Sequence, residues 1–269
     1  MMTLTENDFL RLYTYIHKNF GINLSKKKQL IEGRLGSTLV SMGYSNFSDY
    51  VDFILTKASK NDIDVMLNKL TTNYTFFMRE QMHFDYFRDT ILPYLVQKKK
   101  DKVLSVWSAG CSTGQEPYTL SIIMKEFLGS DAARWDTRVL ATDISQNVLT
   151  QAQAGIYPAE SLKDMPTAWV TKYLKKLPDG RYEVSPELKS NVIFKTFNLM
   201  DPIKFKLQFD VIFCRNVMIY FDQPTKDALV NRFYGATSNG GYLLIGHSEA
   251  LNKATTPYKY LMPATYRKI

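Results

Sequence analysis

With 269 residues, 45% of them apolar and 22% charged, the chain can bury a sizeable core in one large or two unequal domains and is too apolar to remain disordered. Lys and Arg outnumber Asp and Glu by 34 to 26, a net charge of +8, which favours an acidic partner without choosing between nucleic acid, an anionic membrane and an acidic protein surface. Cys111 and Cys214 form no C-x-x-C pair and His17, His83 and His247 are scattered, so neither a disulfide framework nor a metal site is expected.

In chain order, MMTLTENDFLRLY has acids early and no long apolar stretch, unlike a signal peptide. Thr5 with Asp8 gives a T-x-x-D helix start, and Phe9, Leu12, Tyr13, Ile16 and Phe20 follow at helical spacing up to Gly21. Ser25 is expected to cap a second helix carrying Leu30, Ile31, Leu35 and Leu39, with Gly43 beyond its end. Asn46 or Ser48 starts a third around Tyr50, Phe53 and Ile54. A fourth runs from about Asn61 with Ile63, Met66, Leu67 and Leu70, and a fifth from near Arg79 towards Leu95. The charge run QKKKDK (97–102) reads as a solvated loop near a domain junction.

From Val103 onward the pattern changes. VLSVW, RVLATD, NVIFKTF, FDVIFC and GGYLLIG read as buried strands, alternating with helical stretches at 116–128, 145–154 and 224–237. Such alternation implies crossovers and a mostly parallel sheet covered on both faces. GRYEV (180–184) reads as an extra strand in an excursion between the second and third core strands. No run approaches the roughly 18 apolar residues of a membrane span, and a cytoplasmic protein is expected.

Candidate chemistry gathers at the strand ends. Gly110 and Gly114 flank a turn after the first strand where backbone can approach a ligand, but the loop is neither G-x-G-x-x-G nor a phosphate-binding loop. Asp143 ends the second strand. There it can accept hydrogen bonds from both hydroxyls of a ribose, or cap the helix that follows. Together the two features favour an adenosine-type cofactor without demanding its phosphates, which suits S-adenosylmethionine better than NAD. Asn198 after the third strand can read an adenine edge, and Arg215-Asn216 follow the fourth at the carboxyl edge where ligands sit. Ahead of the sheet, LTTNYTFFMRE (70–80) packs three aromatics and an Arg-Glu pair into eleven residues; on spacing alone it reads as a helix start with an aromatic plug.

These same blocks resemble the CheR-type chemotaxis receptor (protein-glutamate) O-methyltransferases. LTTNYTFFMRE is similar to their T-T-N-x-T-x-F-F-R-E segment, WSAGCSTGQEPYTLSI to their cofactor loop, FDVIFCRNVMIYFD to their strand-four block and GGYLLIGHSEAL to a late-strand segment. The resemblance implies the class I S-adenosylmethionine-dependent methyltransferase fold, α/β with a seven-stranded, mostly parallel sheet. It implies an N-terminal helical domain over 1–90, a cofactor-binding domain over 91–269 and a small β subdomain at about 172–190. By the same resemblance Asn73, Thr75, Arg79, Glu116, Asp143, Asn198, Leu199, Arg215 and Asn216 contact the cofactor, while Arg79 and Tyr220 lie beside the methyl group and the substrate carboxylate. Lys26, Lys27, Lys28 and Arg34 would face outward together and dock the cytoplasmic helical domain of a chemoreceptor. The implied reaction esterifies receptor glutamates and leaves S-adenosylhomocysteine.

The chain departs from the pattern in places. Met78 interrupts the usual F-F-R-E wording, leaving open whether Phe76-Phe77 or Phe77-Met78 fills the aromatic pair. Gly36, Ser37 and Thr38 stand where relatives often carry arginines, and LPDGRYEV is short where relatives that grip a receptor's C-terminal peptide have a longer loop. Arg215-Asn216-Val217-Met218 stands where base-amine methyltransferases usually place a Pro-Pro segment, so nucleic acid is not an expected substrate. A monomer without membrane insertion is expected.

Overall fold

In the computed structural model, which describes residues 2–269, short polar side chains start three of the four N-terminal helices. Thr5 accepts from the Asp8 N–H at the start of α1 (Glu6–Phe20), and Gly21 closes that helix with φ 71°. Asn46 caps α3 (Phe47–Thr56), and Ser59 with Asp62 makes a reciprocal capping box on α4 (Lys60–Leu70). The exception is α2 (Lys28–Ser41), which has no side-chain cap. Ser25 does not cap it: its N–H is taken by the Asn23 side chain, and the Asn23 N–H is bound in turn to the Tyr220 carbonyl at 2.7 Å. A tertiary contact thus holds residues 22–27 out of the helix.

Next come α5 (Gln81–Tyr86), a π-helical turn over Phe87–Ile91 and α6 (Leu92–Lys98), in effect one helix with a bulge just before Pro93, which has no N–H to give. The α/β part follows as β1 (Val106–Ala109), α7 (Gln115–Leu128), β2 (Val139–Asp143) and α8 (Gln146–Ala154). An excursion holds β3 (Ile156–Tyr157), α9 (Thr167–Tyr173), β4 (Leu174–Lys176), β5 (Tyr182–Val184) and α10 (Pro186–Ser190). The chain ends through β6 (Val192–Thr196), β7 (Phe209–Cys214), α11 (Gln223–Ala236), β8 (Thr237–Ile245), β9 (Lys259–Met262) and β10 (Thr265–Arg267). The first strand begins later than VLSVW suggests, because the Leu104 and Ser105 N–H groups go to the Asp136 carbonyl and the Asp210 carboxylate.

Seven strands form one sheet in the order β6-β2-β1-β7-β8-β10-β9, while β3, β5 and β4 make a separate small antiparallel sheet. The first five strands of that order run parallel, as the β/α alternation predicts, and β10 is antiparallel to β8. Side chains alternate between the faces. Trp107, Leu140, Ile212 and Leu243, in register across four strands, pack on one face with Leu229 and Phe233 of α11 and join the core of α1 to α4. Val106, Val139, Val211, Phe213 and Leu244 take the other face with α7 and with Phe84, Phe87, Leu92 and Leu95. By packing, then, the helix that spans residue 90 belongs with the sheet, although the expected domain boundary falls inside it. No described helix is long and apolar enough to cross a membrane.

Candidate active site

Strand order reverses about β1: the chain moves outward to β2 and β6 on one side and to β7 and β8 on the other. Loops leaving the carboxyl ends of β1 and β7 therefore diverge, and a crevice opens between them. One cleft lies there. It is lined by Gly110, Cys111 and Ser112 after β1, Asp143 after β2, Asn198 and Leu199 after β6, and Arg215, Asn216 and Tyr220 after β7. Asn73, Thr75 and Arg79 come from the segment that follows α4, and Glu116 from the first turn of α7. All ten residues carried over as cofactor or methyl-site positions thus line the same cleft.

Gly110 has φ 81°, and a Cβ there would lie 2.3 Å from Val217 Cγ2, so both conformation and space require glycine. Its N–H and that of Cys111 bind the Thr142 carbonyl, folding the loop back over β2. Asp143 accepts from the Ser112 N–H at 2.8 Å and from the Ser145 N–H at 3.1 Å. Burial raises its carboxyl above the usual range, and the Ser145, Ser112 and Ile144 N–H groups partly offset that. The alternative of Asp143 as helix cap falls away, because the Ser145 hydroxyl caps α8.

Arg215, 7% exposed, is shared by two carboxylates. It reaches Glu116 Oε2 at 3.1 Å and Glu80 Oε2 at 3.2 Å, donates to the Arg79 carbonyl and lies over the Phe84 ring. Burial pushes the Glu116 carboxyl up, against Arg215 and the Ser108 hydroxyl, which pull it down. At Glu80 burial also acts upward, but Arg215, Asn216 and the His247 N–H prevail and hold the carboxyl low. Glu80, Ser112 and Asn216 are non-glycine residues with left-handed backbone (φ 56°, 49° and 60°), a concentration of strain around the cleft. The segment before them resolves the aromatic register: Phe77 and Met78 are buried, Phe76 stays at the cleft, and Arg79 lines it while donating to the Tyr74 carbonyl.

Several residues at the site were not singled out by sequence reasoning. Glu249 accepts from the backbone N–H groups of Asn216, Ile219 and Gly246, latching the loop after β7 to that after β8. Its only signal was membership of the GGYLLIGHSEAL block. Asn68 Oδ1 accepts from Asn73 Nδ2 and Ser145 Oγ, each at 2.9 Å, while its own buried Nδ2 is unpartnered beside the cleft. The histidines are not all scattered, since the His83 and His247 rings are 4.5 Å apart in space. With Glu80 they bring three potential metal donors within 4.8 Å, yet both Glu80 oxygens are already engaged by Arg215, Asn216 and the His247 N–H.

Other expected roles look different in place. The Asn198 amide bonds the Asn19 carbonyl and the Met200 N–H, and the Tyr220 hydroxyl both accepts from the Thr72 N–H and donates to the Thr72 carbonyl. The four basic residues do not share an outward helix face. Lys26 and Lys27 are exposed ahead of α2, Lys28 pairs with Glu6, and Arg34 turns inward to the end of α4.

Two family models match the chain: one described as CheR methyltransferase, all-alpha domain, over residues 7–71, and one as CheR methyltransferase, SAM binding domain, over 73–267. A chemotaxis protein methyltransferase of Borreliella burgdorferi is 42% identical over 272 aligned residues, covering 99% of this chain and 96% of that protein. A probable chemotaxis protein methyltransferase of Rhizobium etli is 36% identical, covering 94% and 99%. The chemotaxis protein methyltransferase of Escherichia coli is 34% identical, covering 92% and 86%.

Proposed function

The chain belongs to the CheR methyltransferase family, and from that premise we propose that it methylates glutamate side-chain carboxylates of chemoreceptors, using S-adenosylmethionine. The observation that carries the reading is the convergence of ten residues from five separate segments on one cleft at the reversal of strand order. The cleft suits a nucleoside bearing a sulfonium. Phe76, Phe84, Phe197 and Phe221 supply apolar walls, and Glu116 and Asp143 supply carboxylates. The orphaned Asn68 Nδ2 offers a donor that an acceptor on a ligand would satisfy.

Asp143 would hold the ribose hydroxyls and Asn73, Glu116 and Arg215 the neighbouring polar groups. Bound there, S-adenosylmethionine supplies a methyl group on a positively charged sulfur. A glutamate carboxylate with an ordinary pKa near 4.3 is ionised at neutral pH, so the protein need not remove a proton from it. The residues have instead to align a charged nucleophile and exclude water. Arg79, with N–H groups beyond the one given to Tyr74, would orient the carboxylate, and the Tyr220 hydroxyl would turn from Thr72 to donate one hydrogen bond to it.

The test is labelled S-adenosylmethionine offered with a receptor cytoplasmic fragment, with tRNA, and with neither. Base-labile label on the receptor fragment identifies a carboxyl methyl ester. Label on tRNA alone, or on no acceptor, would overturn the assignment.

A further inference from the structure

Residues 71–76 carry Asn73 and Thr75 into the cleft and lead to Arg79, yet they form neither helix nor strand. Such a segment has to be held from outside. Tyr220 grips Thr72, and Asn68 and Ser112 grip Asn73. Arg79 donates to the Tyr74 carbonyl, and a further hold comes from α2. Arg34 Nη1 donates to the carbonyls of Lys69, Leu70 and Thr71 at 3.4, 2.9 and 3.1 Å, and Nη2 donates to Thr72 Oγ1 at 3.0 Å.

We propose that Arg34 is a positioning residue for cofactor binding: its guanidinium caps the carboxyl end of α4 and fixes the point at which the Thr71–Thr75 segment enters the cleft. The last carbonyls of a helix lack partners within it and carry partial negative charge, so a cation there satisfies both needs at once. The fork matters as much as the charge. Two nitrogens in fixed relation reach a helix end and a side chain beyond it, which the single ammonium of a lysine does not reproduce. Lys26 and Lys27 share the charge of Arg34, but they are exposed ahead of α2 and lack its fork. The assignment deepens the reading of the cleft as the S-adenosylmethionine site and rests on it.

The experiment is titration calorimetry of the full chain with S-adenosylhomocysteine and no receptor, comparing wild type, Arg34→Ala, Arg34→Lys and Asp143→Ala. Both Arg34 variants should bind about tenfold more weakly, the scale of losing hydrogen bonds from a charged donor, with stoichiometry near one. A purely structural role would lower the binding-competent fraction, and so the stoichiometry, while leaving the affinity of folded molecules unchanged. Wild-type affinity in Arg34→Lys would show that charge alone suffices, and would overturn the proposal. Wild-type affinity in both Arg34 variants beside a weakened Asp143→Ala overturns it as well. If Asp143→Ala also binds normally, the cleft itself has been misread. Should Arg34→Ala fail to fold, Arg34→Lys decides.

Discussion

Tyr220 is occupied on both sides by the Thr72 backbone, so its hydroxyl has two tasks: holding that segment and, as proposed, meeting the acceptor carboxylate. Tyr220→Phe should cut turnover on the order of 10–1,000-fold, as for a lost positioning hydrogen bond in a water-excluded site. Cofactor affinity should fall by no more than about fivefold, because an exposed neutral hydrogen bond is worth little. Arg79→Ala should lower both quantities. Single-turnover methylation with separate affinity measurements separates the two, and wild-type rates in both variants would remove these residues from the chemistry. Asp143 stands on firmer geometry, with two backbone donors fixing its carboxylate at the cleft wall. Asp143→Ala should lose about 1.5–3 kcal/mol of S-adenosylhomocysteine binding by calorimetry; unchanged affinity would confine Asp143 to shaping the loop.

Among the connecting segments, the loop after β7 is latched by one side chain. Glu249 gathers the backbone N–H groups of Gly246, Asn216 and Ile219, and burial raises its carboxyl, an effect those hydrogen bonds only partly offset. Glu249→Gln would set an amide donor against one of those donors. A loss of about 1–3 kcal/mol of stability in urea titration is expected, with weaker cofactor binding because Asn216 is released. Wild-type values for both would mean that the loop keeps its shape without the latch. The turn before α2 is the surface element that we propose for receptor docking, through Lys26 and Lys27. Methylation of a receptor fragment should then weaken as salt rises and in a Lys26/Lys27 charge reversal, since exposed charges are screened beyond about 8–10 Å. Insensitivity to the reversal would place docking elsewhere.

Across the whole molecule, His83 couples the helix before the sheet to the loop after β8. Burial chiefly, then the charges of Arg215 and His247, depress its pKa from 6.5 to about 3, with Glu80 pulling the other way. The unfolded chain therefore binds the proton that the folded one refuses between those two values. Stability attributable to His83 is intact above pH 6.5 and falls as pH drops towards 3, by up to about 1.4 kcal/mol per pH unit. His83→Leu should flatten the dependence of stability on pH between 6.5 and 4 in urea titrations. Parallel curves for variant and wild type would show that the imidazole takes up its proton in the folded state.

Taken alone, the sequence determined what depends on neighbours along the chain. Thr5 and Asn46 start helices because a short side chain reaches an N–H three residues on. The β/α alternation sets a parallel sheet because each intervening helix carries the chain back to the end from which the previous strand began. Once the strands are in place, Gly110, Asp143, Asn198 and Arg215 sit at their carboxyl ends and must come to one edge. What only the tertiary structure decided are the contacts that depend on which faces meet. Ser25 loses its capping role because Asn23 is tied to Tyr220, nearly two hundred residues away. His83 and His247 become neighbours only when α5 lies against the sheet. Arg34 reads as one more cation in a basic helix until α2 packs on α4 and turns its guanidinium to Leu70 and Thr71. A local pattern specifies an element and its apolar side; a polar side chain's partner is set by whatever donor or acceptor the packed neighbour leaves unpaired, and that is known only once the elements have met.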